Sequence, residues 1–226
     1  MGPKGVKFKF MQQYLHPKEV HTVGWHLPSY AETKISTSID LVADYIVGLY
    51  KSTGSRWNVV GSSTGALIAL HVAYRHPECV HKLLLLSPAI DLLTYFEINS
   101  KQYDWSESNP SAVDRFQPNG TGDDSGFLEL GFLADLRSLK DSGRAIAPCV
   151  PCYVVHAESD ELVPVSDVRE WCTKYGTNNG GQVHHNLILP SHDREGAVLD
   201  HGLYHFAKPD AITECTLEGI LNSWFL

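Results

Sequence analysis

The run Lys82-Leu83-Leu84-Leu85-Leu86-Ser87 constrains the fold more than any other stretch of this chain. Consecutive leucines cannot alternate between core and water, so a strand built from them must be covered on both faces. Such a strand belongs inside a parallel sheet, and the flanking segments supply the covers. Residues 36–50 place Ile39, Val42, Ala43, Ile46 and Leu49 on one helical face, and Gly54-Ser55 ends that helix. Residues 57–60 (Trp-Asn-Val-Val) read as a short strand, and residues 66–74 as an Ala- and Leu-rich helix that stops before Pro77. Further strands are expected at 19–25, 152–155 and 184–189, and further helices at 127–140, 166–174 and 209–225. Strands alternating with helices of this length build right-handed βαβ units. The expected class is α/β: a mostly parallel sheet with helices on both faces.

With 226 residues, 43% of them hydrophobic, the chain can bury the core of a single domain spanning 1–226. Residues 99–126, rich in Ser, Asn, Asp, Gly and Pro and without period, are set apart as a loop or lid. Eighteen Lys and Arg against 26 Asp and Glu give a net charge of −8. No basic stripe exists to neutralise phosphates, so nucleic acid and anionic membrane are not expected partners. No apolar run approaches the ~20 residues of a membrane span. The start, MGPKGVKFKF, has no apolar stretch of the signal-peptide kind, and Pro3 with Val6 is a poor myristoylation match. Five cysteines, an odd number, fit a reducing compartment, and a cytoplasmic location is expected.

Gly61-Ser62-Ser63-Thr64-Gly65 fits the pattern G-x-S-x-G, with the 57–60 strand before it and the 66–74 helix after it. A strand-to-helix turn this sharp strains the central serine and asks for small flanking residues. It lifts the Ser63 hydroxyl clear of the sheet at the positive end of the helix, where the Thr64 amide N–H faces a developing oxyanion. A serine nucleophile needs a base, and the base needs a carboxylate to hold its tautomer. In a fold with this turn, acid and then histidine follow the serine at later strand ends. Asp160 lies in the loop after the 152–155 strand, ahead of Leu162-Val163-Pro164, with Glu158 and Glu161 as neighbours able to take the same role. His192, His201 and His205 follow the last strand. His192 needs only that strand to reach the catalytic edge, whereas His201 and His205 require the chain to leave it and return. His156, His184 and His185 lie in or beside strands and read as core or edge residues.

From Val20 to about Leu199 the sequence resembles the small, cap-less α/β-hydrolases of the bacterial and plastid esterase-like type. The matching pieces are Gly61-Ser62-Ser63-Thr64-Gly65-Ala66, Leu85-Leu86-Ser87-Pro88-Ala89-Ile90-Asp91 and His156-Ala157-Glu158-Ser159-Asp160-Glu161-Leu162-Val163-Pro164. The resemblance implies the nucleophile in the first piece, the acid in the third and a histidine that opens a helix shortly after the last strand. That favours His192, with residues 195–199 as the helix. It implies a serine hydrolase acting on a small-molecule ester or thioester through an acyl-enzyme.

One departure accompanies the resemblance. Such hydrolases begin with a strand that ends in a His-Gly loop, whose amide completes the oxyanion hole. Here the first histidine, His16, precedes Pro17, which has no N–H to offer. The segment before Val20 resembles the helix that follows the missing loop, so the sequence is expected to lack the first strands of its relatives. The alternative expectation is a weakly active or non-catalytic hydrolase-fold binding protein.

Other patterns carry less. Cys149-Val150-Pro151-Cys152 has C-x-x-C spacing, but with no second pair it reads as structural. His184-His185 with His192 invite a metal, yet neighbouring residues on a regular strand face opposite ways. Asn119-Gly120-Thr121 reads as loop and not as a glycan acceptor, and no phosphate loop of the G-x-x-x-x-G-K type exists, so no cofactor or metal is expected.

Overall fold

The computed structural model describes residues 6–28, 33–94, 131–141, 147–192, 203 and 217–226. Strands β1 (Trp57–Ser62), β2 (Val80–Leu86), β3 (Cys152–Ala157) and β4 (Val183–Leu189) form an all-parallel sheet in the order β1-β2-β3-β4. Helices α1 (Val6–Leu15), α2 (Ile35–Thr53), α3 (Thr64–Arg75), α4 (Phe132–Asp141), α5 (Val165–Lys174) and α6 (Leu217–Phe225) lie around it. The register brings Ser62 beside Leu86, Leu86 beside Val155, and Ala157 beside Leu189. All four strands therefore end along one edge.

The leucine run of β2 divides between two cores, which is why none of it alternates with polar residues. Leu83 and Leu85 enter a core built with α2 (Ile35, Ile39, Ala43, Ile46), α3, Phe132 and Leu136 of α4, and Val168 and Trp171 of α5. Leu84 and Leu86 enter a second core with Val155, Leu189 and Leu217, Ile220, Leu221 and Trp224 of α6, and Phe10, Met11 and Tyr14 of α1 pack against it. Helix α3 is buried on every side from Ala66 to Ala73, and its alanines let it lie close to sheet and α2. Gly54 ends α2 in the left-handed conformation at φ 69°, its N–H donating to the Tyr50 carbonyl at 2.8 Å.

Helix α6 is held at its last turn. The Trp224 indole N–H donates to the Leu83 carbonyl at 3.1 Å, and Lys82 Nζ donates to the Trp224 carbonyl at 2.6 Å. The cation also complements the negative end of the helix. His184 and His185 both lie against the Trp224 ring, at 6.0 and 5.3 Å between centroids. The β3–β4 register shifts between Cys152 and Tyr153, so strict alternation fails at this bulge and adjacent histidines meet one ring.

The strand expected at 19–25 is not formed: residues 20–28 make no strand. A short β-branched run without a partner forms no ladder. Trp25 is anchored instead on Tyr45 of α2, edge to face at 4.3 Å, and Val23 is 49% exposed. The remaining expected elements occur with ends shifted by a few residues, in so far as they are described. Residues 99–126, 127–130, 195–199 and 209–216, and with them the expected lid, lie outside the described residues. No described helix is long and apolar enough to cross a membrane. Replacing Trp224 by Phe keeps most of the apolar contact but removes the buried bond to Leu83. A loss of about 1–2 kcal/mol is expected, read as a lower urea midpoint with unchanged slope.

Candidate active site

At the end of β1 the chain reverses into α3 through Ser63, whose backbone sits at φ 56°, ψ −125°. A non-glycine residue there is strained by about 1–3 kcal/mol and persists only where its surroundings over-determine it. Here they do. The Ser63 N–H donates to the Leu86 carbonyl at 2.9 Å, and the Ser63 carbonyl accepts from the amides of Ala66 at 2.9 Å and Ala89 at 3.3 Å. Ser63 is half-buried on this fixed backbone. Thr64, nearly buried, opens α3, which puts its amide at the positive end of the helix.

The two glycines of the motif are not equivalent. A Cβ on Gly61 would lie 2.5 Å from both Ala66 Cα and the Gly65 carbonyl oxygen, whereas one on Gly65 would meet nothing within 4 Å. The expectation that both flanks must be small holds for Gly61 alone, because only Gly61 is crossed by the returning helix.

Asp160 follows β3 by three residues and its side chain is 0% exposed. Its Oδ1 accepts from the amides of Leu162 and Val163, both at 2.9 Å, which favours the ionised form. Its Oδ2 lies 3.7 Å from Nε2 of His156, and that nitrogen is 3.0 Å from the Val163 carbonyl. His156 is fully buried under the acid loop, a contact that its reading as a plain core residue missed. The rival acids differ. Glu161 is exposed, and Glu158 points outward to Arg169 at 3.4 Å.

His192 lies three residues beyond β4 and is exposed. The loops after β3 and β4 are tied together, since the Glu158 amide donates to the Leu189 carbonyl at 2.9 Å and Ser159 Oγ to the Ser191 carbonyl at 3.3 Å. The structure thus brings Ser63, Asp160 and His192 to one edge of the sheet, at the ends of β1, β3 and β4. His201 and His205 lie outside the described residues.

Between Ser63 and Asp160 stands Ser87, which the sequence did not single out. It is fully buried at φ 44°, with its N–H on the Val155 carbonyl at 2.8 Å and no hydrogen-bond partner for Oγ among the described residues. Beside α3 opens a cavity of about 450 Å³, walled by apolar residues such as Leu67, Leu136 and Trp171 and by the charged Asp91, Asp167, Glu170 and Lys174. Leu67 is one helical turn from Ser63.

Cys152 is fully buried and its thiol is pushed well above its usual range by that burial, while Cys149 donates to the Ala73 carbonyl at 2.9 Å. Burial likewise pushes the Cys172 thiol up to about 12. Thiols held protonated in this way are poor nucleophiles and ligands, in line with a structural role for Cys149 and Cys152. Among the described residues no group of His, Cys, Asp and Glu is placed to hold a metal ion.

The asymmetry of the glycines gives a direct check. Gly61→Ala is expected to lose about 2–4 kcal/mol or fail to fold, and Gly65→Ala to stay within about 1 kcal/mol of the parent in urea unfolding.

No family model matches the chain, and no curated protein matches it. Solved structures do. It is similar to alpha/beta hydrolase domain-containing protein 10 from mouse at 15% identity and a TM-score of 0.56, over 94% of this chain and 81% of that one. It is similar to Est1E from Butyrivibrio proteoclasticus at 15% identity and a TM-score of 0.61, over 91% and 77%. The esterase Pf2001 of Pyrococcus furiosus gives 15% identity and a TM-score of 0.50, over 83% and 68%. With the nucleophile-type turn, the parallel order β1-β2-β3-β4 and two helical layers, these likenesses establish that the chain has the α/β-hydrolase fold.

Proposed function

We propose that this protein is a serine hydrolase that cleaves a carboxylic ester or thioester through an acyl-enzyme. The observation that carries the reading is Ser63 at φ 56°, ψ −125° between β1 and α3, on the sheet edge that also bears the buried Asp160. A turn strained and clamped in this way is what a nucleophile elbow needs, and a connecting turn does not.

Ser63 Oγ attacks the substrate carbonyl while the base, His192, takes its proton. The oxyanion forms against the Thr64 amide and the positive end of α3. Collapse of the tetrahedral adduct breaks the bond to the alcohol or thiol, which leaves with the proton from the imidazolium. Water then attacks the acyl-enzyme with the same base, and the carboxylic acid departs as Ser63 regains its proton. Asp160 orients the imidazole and stabilises its charged form, a role for which its burial and its two amide donors prepare it. His192 is exposed, whereas the Asp160 side chain is buried. His201 and His205 stand as alternatives for the base. The name of the Pyrococcus furiosus neighbour agrees with the ester substrate class. The thiols of Cys79, Cys149, Cys152 and Cys172 are free, which fits a reducing compartment such as the cytoplasm.

A fluorophosphonate probe followed by peptide mass analysis tests the reading: label is expected on Ser63, with p-nitrophenyl acetate turnover lost in Ser63→Ala. An unlabelled Ser63 would leave a hydrolase-fold binding protein. Asp160→Asn is expected to lower kcat about 10³–10⁴-fold, as for the acid of other Ser-His-Asp triads. Of His192→Ala, His201→Ala and His205→Ala, only the variant lacking the base should fall to the Ser63→Ala level.

A further inference from the structure

Lys7 is 3% exposed, although lysine is among the residues least often buried. It stands in the first turn of α1, where the positive end of the helix disfavours a cation. Lys7 Nζ donates to Ser62 Oγ at 2.8 Å, across 55 positions of sequence. Ser62 is the last residue of β1 and the neighbour of Ser63.

The direction of this contact fits the architecture. Ser62 and Val60 share a face of β1 by the two-residue period of a strand. Val60 packs against the core that Phe10, Met11 and Tyr14 of α1 also touch. The elbow is therefore gripped from two sides. The end of β2 holds the backbone of Ser63 through Leu86 and Ala89, and α1 holds the side chain of Ser62 through Lys7.

We propose that Lys7 is a positioning residue for the nucleophile, an inference that rests on the serine-hydrolase reading above. By bonding Ser62 it fixes the peptide that carries Ser63, and it places a buried positive charge beside the first turn of α3. Negative charge that grows on Ser63 Oγ and on the substrate oxygen during attack is stabilised by that field, which the free substrate does not feel. The contribution therefore falls on kcat and not on KM.

The test uses Lys7→Met, which keeps the length of the side chain without the charge, with Ser62→Ala, Ser62→Thr and the double variant Lys7→Met/Ser62→Ala. In the full chain, Lys7→Met and Ser62→Ala are each expected to slow fluorophosphonate labelling of Ser63 and kcat for p-nitrophenyl acetate about 10–100-fold, with KM within about two-fold. The double variant should be no slower than the slower single, since the two residues act as one unit. Ser62→Thr, which restores the acceptor oxygen, should recover the rate to within about three-fold. Losses that multiply in the double variant, or a native labelling rate in Lys7→Met, overturn the proposal. If the parent protein takes no label, the hydrolase reading fails on its own. The Lys7–Ser62 link is then judged by urea unfolding of the parent, Lys7→Met, Ser62→Ala and the double variant. Non-additive midpoint shifts support the link, and additive shifts overturn it.

Discussion

Leu86 belongs to the core and to the candidate site at once. Its side chain is fully buried with Val155, Leu189 and the apolar face of α6, and its carbonyl accepts the Ser63 amide. The strained turn is thus an extension of the β1–β2 pairing, and the height of the Ser63 hydroxyl above the sheet is set by strand register. The same holds along the edge. Ser87 bonds Val155, and Glu158 bonds Leu189, so each strand end is tied to the next by a backbone bond of 2.8–2.9 Å. A site assembled this way takes its precision from the sheet, which is where rigid positioning is most readily obtained.

The charges along that edge are unevenly spread. At the β1 end lie the first turn of α3 and the Lys7 ammonium, and at the β3 end the Asp160 carboxylate, shielded from solvent. On the proposed reading a proton leaving Ser63 moves from the positive end toward the negative one. Each partial charge of the transition state then meets the sign that stabilises it. The overall net charge of −8 says nothing of this local arrangement. Desolvated neighbours decide it, and most surface charges are screened.

Much of this was legible in the chain itself, and the parts that were not share a cause. The leucine run announced a strand covered on both faces because its physics is local, and the two cores receive its side chains alternately. The strained turn at Ser63 was legible because strand, small-residue turn and helix follow one another without interruption. Asp160 was preferred from its place after the strand and before Leu162-Val163-Pro164, but that it is buried while Glu158 and Glu161 are exposed could not be read from the sequence. The 19–25 segment looked like a strand because β-branched residues suit a pleated surface, but propensity supplies no partner for the ladder. The bulge that brings His184 and His185 to one ring, and the reach of Lys7 to Ser62, depend on register and on long-range packing. No local pattern encodes either. The only available hint for Lys7 was a cation at the head of a helix, where helices prefer anions.

The left-handed backbone at position 63 sets stability against chemistry at a single residue. The side chain that supplies the hydroxyl also brings the Cβ that makes φ 56° costly, and no other hydroxyl-bearing residue escapes that cost. Glycine at this position would relax the turn by more than it loses through the greater freedom of its unfolded chain, so the sturdiest version of this fold is one without the Ser63 hydroxyl. On the proposed reading, serine at this turn gives up stability for a hydroxyl.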